Sequence, residues 1–244
     1  MGRNRALELP DQFLLLRGDG RPVGTRVLEG LLHLAGDAMT RLKATTGSST
    51  APVAAVGRLR GTGLGVHFSR LVAALEAEHP IRMTSPFEGS PRVSGGVWIA
   101  NSLLGADAAL ALGGNTAMAK LHWDKGADDL PIHVHDYSDR FIIVLQGRGY
   151  FHVADGDPAS FNGTGVRTVP ARERDIFAFT RGLLHTFSTL DHPMTLLSCQ
   201  LPYLEFEDPD QYRLPPHRWT AREHPQDVSP LVAIDPAWSL IAGC

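Results

Sequence analysis

Two histidines separated by one residue, in Pro131-Ile132-His133-Val134-His135, are the part of this chain best suited to chemistry. On a β-strand, side chains at i and i+2 point to one face. Two imidazoles so placed can converge on one metal ion at about 2.0–2.2 Å. Neutral imidazole suits iron, zinc, copper and nickel. Taken alone the pair is a weak signal, and its value depends on the elements around it.

Those elements read as β from about residue 84. Ser85-Pro86 and Ser94-Gly95-Gly96 are turn signals. Short β-type runs follow at Val97–Ala100, Ala117–His122, Phe141–Leu145, Tyr150–Val153, Asp175–Phe179 and Thr195–Leu201. Gly147-Arg148-Gly149 and Asp155-Gly156-Asp157 read as turns between them. Many short strands with no helices between argue an antiparallel sandwich or barrel. Phe141-Ile142-Ile143-Val144-Leu145 does not alternate, so both of its faces should be covered. One face would look into the barrel, the other onto N-terminal helices or a second subunit.

The first third reads as helical. Leu28, Leu31, Leu32, Ala35, Met39 and Leu42 form one stripe at helical spacing, with Thr25 as N-cap. A second stripe, Phe68, Leu71, Val72 and Leu75, should stop at His79-Pro80. Ala44 to Pro52, rich in Ser, Thr and Gly, reads as a flexible loop. Past Pro202 the chain has no period and reads as a tail packed over the barrel.

Twelve residues after His135 stands Gly147, and the run from Arg174 leads through Gly182 to His185. In this the chain resembles the cupin superfamily. His133, His135 and Gly147 match its first motif, and Gly182 and His185 its second. The resemblance covers residues 85–205. It implies a mainly β protein with a single cupin (double-stranded β-helix, or jelly-roll) barrel; the patterns of the flanks themselves add an N-terminal α-helical extension over 1–84 and a C-terminal tail over 206–244. It also implies one divalent metal ion on His133, His135 and His185. Fe(II) is favoured, with Zn, Ni, Mn or Cu as alternatives.

The family's metal-binding Glu is absent. Its position falls on Arg140 counted back from Gly147, or on Asp139 counted forward from His135 with the shorter spacer. Either Asp139 supplies a carboxylate ligand, or the site is a three-histidine site. Strand alternation lets only one of Asp139 and Arg140 face inward. An inward Arg140 cannot ligate, because its guanidinium stays protonated. It can clamp a substrate carboxylate through two parallel hydrogen bonds. Tyr150 shares parity with His152 and is a further candidate for the pocket, whereas His122 reads as a rim residue. Cys199 reads as a small buried hydrophobe.

The whole-chain balance narrows the class. The 244 residues carry a formal net charge of −3, which argues against a nucleic-acid binder and a polybasic membrane patch. Two cysteines, Cys199 and Cys244, make no disulfide framework. No apolar window approaches a membrane span or a signal peptide, so a cytoplasmic protein is expected. The resemblance implies an Fe(II) oxygenase or dioxygenase acting on a small organic molecule, in a homodimer, and an inward Arg140 would make that molecule carboxylate-bearing. A non-oxidative metal-dependent lyase, isomerase or decarboxylase is the alternative, and a ligand-binding module without catalysis is a third reading.

Overall fold

The apolar stripe of the first third folds as one long helix, α1 (Val23–Thr45), in a computed structural model that describes residues 23–45, 51–58, 64–105, 107, 110, 114–225 and 239–242. Leu28, Leu31, Leu32, Ala35, Met39 and Leu42 are all buried. Burying each Leu-sized side chain is worth about 1.5–3 kcal/mol, which fixes the helix's inner face. Thr25 does not cap the helix but lies inside it, with Oγ1 3.4 Å from Nε2 of His79. Helix α2 (Leu64–Glu78) ends just before His79-Pro80, where proline cannot continue it. Val72 and Leu75 of its stripe are buried, while the side chains of Phe68 and Leu71 lie outside the described ones. Most of the expected loop, residues 46–50, and Cys244 also lie outside the described residues.

The rest is antiparallel β. The strands are β1 (Ala54–Arg58), β2 (Val93–Ile99), β3 (Ala117–Trp123), β4 (Asp139–Ala154), β5 (Val166–Arg172), β6 (Asp175–Phe179), β7 (Leu184–Ser188), β8 (Met194–Leu201) and β9 (Ser239–Ala242). A one-turn helix, α3 (Ala100–Leu104), follows β2. The main sheet runs β2-β3-β8-β4-β6-β1-β9, and β5 and β7 pair with the far half of β4. Strands β1, β5, β7 and β9 were not foreseen from the sequence. Because β1 pairs with β6 and β9 with β1, the expected divisions at 84 and 205 cut across one sheet.

Strand β4 organises the whole. Phe141, Ile143 and Leu145 face outward into the cluster built by α1, and Ile142 and Val144 face inward. Both faces of the run are therefore covered, the outer one by the N-terminal helix. The homodimer expected through that face loses its reason, since α1 already occupies it. Leu197 and Cys199 of β8 face α1 in the same way, and Cys199 is fully buried. Burial raises the Cys199 thiol pKa, as a small buried hydrophobe requires.

The expected turn at Gly147-Arg148-Gly149 is absent. Instead β4 continues through it as the chain passes from one sheet to the other. The pairing register slips by one residue between Val144 and Gln146. Such an extra residue exchanges the two faces of everything beyond it. Phe151 and Val153 consequently face inward, where even-numbered residues did so before the slip. Gly147 is needed at this bend: its φ is +81°, and an added Cβ would sit 2.0 Å from the Pro193 carbonyl oxygen. We predict that Gly147→Ala lowers unfolding free energy by about 2 kcal/mol or more. Gly156→Ala, at φ +104° with open space around it, should cost only the backbone penalty of about 1–2 kcal/mol. Urea denaturation of both variants checks the difference.

Candidate metal centre

The segment before β4 is held as an extended strand from both sides. His133 and His185 exchange backbone hydrogen bonds of 3.0 and 2.9 Å. On the other edge Val134 and Arg213 exchange a second pair of 3.0 and 2.9 Å, and Ile132 N–H donates to Trp219 O at 2.9 Å. Alternation then sends Ile132 and Val134 into an outer apolar cluster with Trp219 and Ala221. His133 and His135 go to the opposite face, as the i, i+2 spacing requires.

There they meet His185 at the start of β7. Ring centroids lie 5.1 Å apart for His133–His135, 4.6 Å for His133–His185 and 5.1 Å for His135–His185. One potential ligand atom from each lies within 4.8 Å of the others. Each ring is oriented by a backbone carbonyl at Nδ1: Pro131 O at 3.0 Å, Gln211 O at 2.5 Å and Leu183 O at 2.9 Å. Donating Nδ1–H to these oxygens leaves every Nε2 lone pair free for a metal, the usual device for fixing a ligand tautomer. Burial, with the Arg140 charge adding to it, lowers the His133 pKa to about 4. Burial also holds His135 and His185 well below the ordinary histidine value. All three are neutral at pH 7, as metal ligation demands. The donor set fits a divalent first-row metal ion.

The other expected site residues divide by strand parity. Arg140 shares the inward parity of Ile142 and Val144 and lines the same cavity as the histidines. Asp139 shares the outward parity of Phe141, and this corrects its expected role. Its carboxylate accepts from Lys43 Nζ of α1 at 2.5 Å and from Arg181 N–H at 2.9 Å. It is not among the metal-capable cluster, because alternation turns it to the helical layer. Tyr150 is also corrected. Beyond the register slip it faces outward and packs against the outer cluster with Trp219. His152 shares that face, as expected from parity, and bonds Thr168 Oγ1 at 2.9 Å and Ser188 Oγ at 2.7 Å. Burial lowers its pKa to about 3. His122, half-exposed beside Asp124, lies on the face of β3 opposite to Leu121 and Trp123, which line the cavity.

Arg140 is only 2% exposed, yet among the described residues no carboxylate pairs with it. Its guanidinium donates to Ser138 Oγ and, at 3.4 Å each, to Asp139 O and Gln211 Oε1, and it approaches His135 Nδ1 at 3.1 Å. Burial lowers its pKa to about 9, so it remains a cation at neutral pH. The cavity walls are Phe87, Leu121, Trp123, Leu130, Ile142, Phe187 and Phe206, with Ser198, Gln200 and Gln211 as neutral polar members. Free space for water-sized particles is about 40 Å³, enough for a few of them. Among the described residues no Asp or Glu lines it. Gln200 Oε1 and Trp123 Nε1 are buried with no hydrogen-bond partner among the described residues.

Gln200, Gln211 and the aromatic residues of the wall were not foreseen. Ser198 and Gln200 alternate with Leu197 and Cys199, so two polar residues on one face of an apolar strand were the readable signal. Phe87, Phe206 and Gln211 come from irregular segments and carry no such period.

No protein-family model matches the chain, and no curated protein does. Solved structures are similar to it over about half of its length. One is a cupin-2 domain from Rhodospirillum rubrum, at 13% identity and a TM-score of 0.40, covering 56% of this chain and 76% of that one. Another is an oxalate oxidase in complex with the substrate analogue glycolate, at 13% identity and 0.39, covering 52% and 60%. A third is an oxalate decarboxylase mutant from Bacillus subtilis, at 14% and 0.35, covering 46% of this chain and 27% of that one. The chain spans less than two thirds of the length of either enzyme.

Two outcomes follow. His133→Ala and His185→Ala should each abolish stoichiometric metal in the purified protein by elemental analysis. Asp139→Asn should keep the metal and lose about 1–3 kcal/mol of stability. The metal-free protein should also lose stability on acidification. His133 and His152 have folded pKa values near 4 and 3, below the unfolded value of 6.5. Between those limits only the unfolded chain takes up the proton, so stability is full above pH 6.5 and falls as pH drops. Each group contributes up to about 1.4 kcal/mol per pH unit. Thermal melts from pH 7 to 4.5 should show a shallower decline in His152→Gln than in the parent.

Proposed function

We propose that this protein is a metal-dependent cupin enzyme, an Fe(II) oxygenase acting on a small carboxylate-bearing organic molecule. The observation that carries this reading is Arg140: a buried guanidinium, without a carboxylate partner among the described residues, in the cavity that the three histidines share. An unpaired buried cation is costly, and a ligand carboxylate is the natural counter-ion. Three neutral ligands would leave an Fe(II) ion its full charge and open positions, for Lewis acidity and for oxygen chemistry.

The chain's own residues then have separable tasks. His133, His135 and His185 would hold the metal, each oriented by its carbonyl partner. Arg140 binds and orients the substrate carboxylate. Phe87, Leu121, Phe187 and Phe206 exclude water and strengthen that ion pair by lowering the local dielectric. Asp139 acts from the other face, tying the start of β4 to α1 through Lys43 and so steadying the residue next to it.

Elemental analysis of protein purified without added metal, then oxygen uptake with Fe(II) and a panel of small carboxylates, tests the reading. Bound iron and substrate-dependent oxygen consumption are expected. Arg140→Gln should raise KM for the carboxylate about tenfold or more, and Arg140→Lys should not restore it, because a point charge lacks the planar fork. Zinc with turnover in the absence of oxygen would replace this reading by a Lewis-acid lyase or decarboxylase.

A further inference from the structure

Gln200 stands directly opposite Arg140 in the β4–β8 ladder. Both side chains take the inward parity and both line the histidine cavity. Residues opposed across antiparallel strands have Cβ atoms about 4.5–5.5 Å apart, so one small ligand reaches both. Gln200 is 2% exposed, and its Oε1 is buried without a donor among the described residues. An unsatisfied buried acceptor costs about 1–3 kcal/mol. The guanidinium across the ladder does not fill it, being turned to Ser138, Asp139 O and Gln211.

We propose that Gln200 is the specificity-determining residue for a 2-hydroxy carboxylate, its Oε1 accepting a hydrogen bond from the substrate's hydroxyl while Arg140 holds the carboxylate; this rests on the carboxylate reading above. The pair presents a cation and, one side chain away, an acceptor. A ligand complementary to both has a carboxylate and, close to it, a hydrogen-bond donor. Two common groups can donate there, a hydroxyl and an ammonium. The cavity decides between them: among the described residues it is lined by a guanidinium and three histidines and by no Asp or Glu. An ammonium would meet only positive or neutral neighbours after losing its water. A hydroxyl satisfies Oε1 without bringing charge. The few-water size of the cavity sets the substrate at a few carbons.

The test is calorimetric binding of three near-isosteric probes, lactate, propionate and alanine, to protein loaded with zinc, which carries no redox chemistry. Lactate is expected to bind at least about tenfold more tightly than propionate or alanine. In Gln200→Leu the lactate affinity should fall to the propionate level, with propionate within twofold of the parent and metal content unchanged. Gln200→Glu, which adds the missing anion, should move the preference towards alanine. Equal affinity for lactate and propionate in the parent overturns the proposal. So does a lactate preference that survives in Gln200→Leu, which would reflect chelation by the metal alone. Arg140→Gln separates this failure from the other: if it weakens both acids alike, the carboxylate reading stands whatever becomes of Gln200. If the parent binds neither acid, or Arg140→Gln changes nothing, the carboxylate reading falls and takes this one with it.

Discussion

Alternation along β4 governs the molecule. Phe141, Ile143 and Leu145 are pinned under α1, and Ile142 and Val144 are pinned in the barrel interior. A slide of one residue would put each set on the wrong side of the sheet, against a sum of burial energies that no local interaction can match. That constraint settles the fate of the two residues that precede the run. Arg140 is driven inward by the same parity as Ile142, and Asp139 outward by the same parity as Phe141. The polar chemistry of the cavity is thus set by apolar packing.

Charge is then distributed by layer. The outer layer compensates itself: Asp139 is buried, but Lys43 of α1 and Arg181 surround its carboxylate. The inner layer does not. It holds three histidines kept neutral by burial and a guanidinium that, among the described residues, donates only to neutral oxygens. A protein interior tolerates such an imbalance where a ligand completes it. The orphaned Gln200 Oε1 adds an unsatisfied acceptor to the same wall. Cation, neutral imidazoles and acceptor together are what the proposed anionic, donor-bearing substrate rests on.

The flanks do more than cover the barrel. β1 extends the main sheet beside β6, and the chain after β8 returns to bridge Val134 through Arg213 and to orient His135 through the Gln211 carbonyl. A residue far along the chain thereby sets the tautomer of a metal-capable histidine. The three expected segments are interwoven at the site rather than laid side by side.

Much of this was legible in local pattern. The stripe from Leu28 to Leu42, the stop at His79-Pro80, the two-faced burial of Phe141–Leu145 and the shared face of His133 and His135 all follow from periodicity, because one period of one element decides them. The pairing of His185 with them came from motif resemblance, since spacing alone does not bring distant histidines together. What the sequence left open was phase. Between His135 and β4 the chain is irregular, so counting could not say whether Asp139 or Arg140 turns inward. Past Val144 an extra residue reverses the faces, so parity counted from Ile142 and Val144 misplaces Tyr150. Phase is set by which face of the strand finds α1 and which finds the barrel interior, and by the bend at Gly147 against Pro193. Those are contacts between distant segments, and only the tertiary structure decides them.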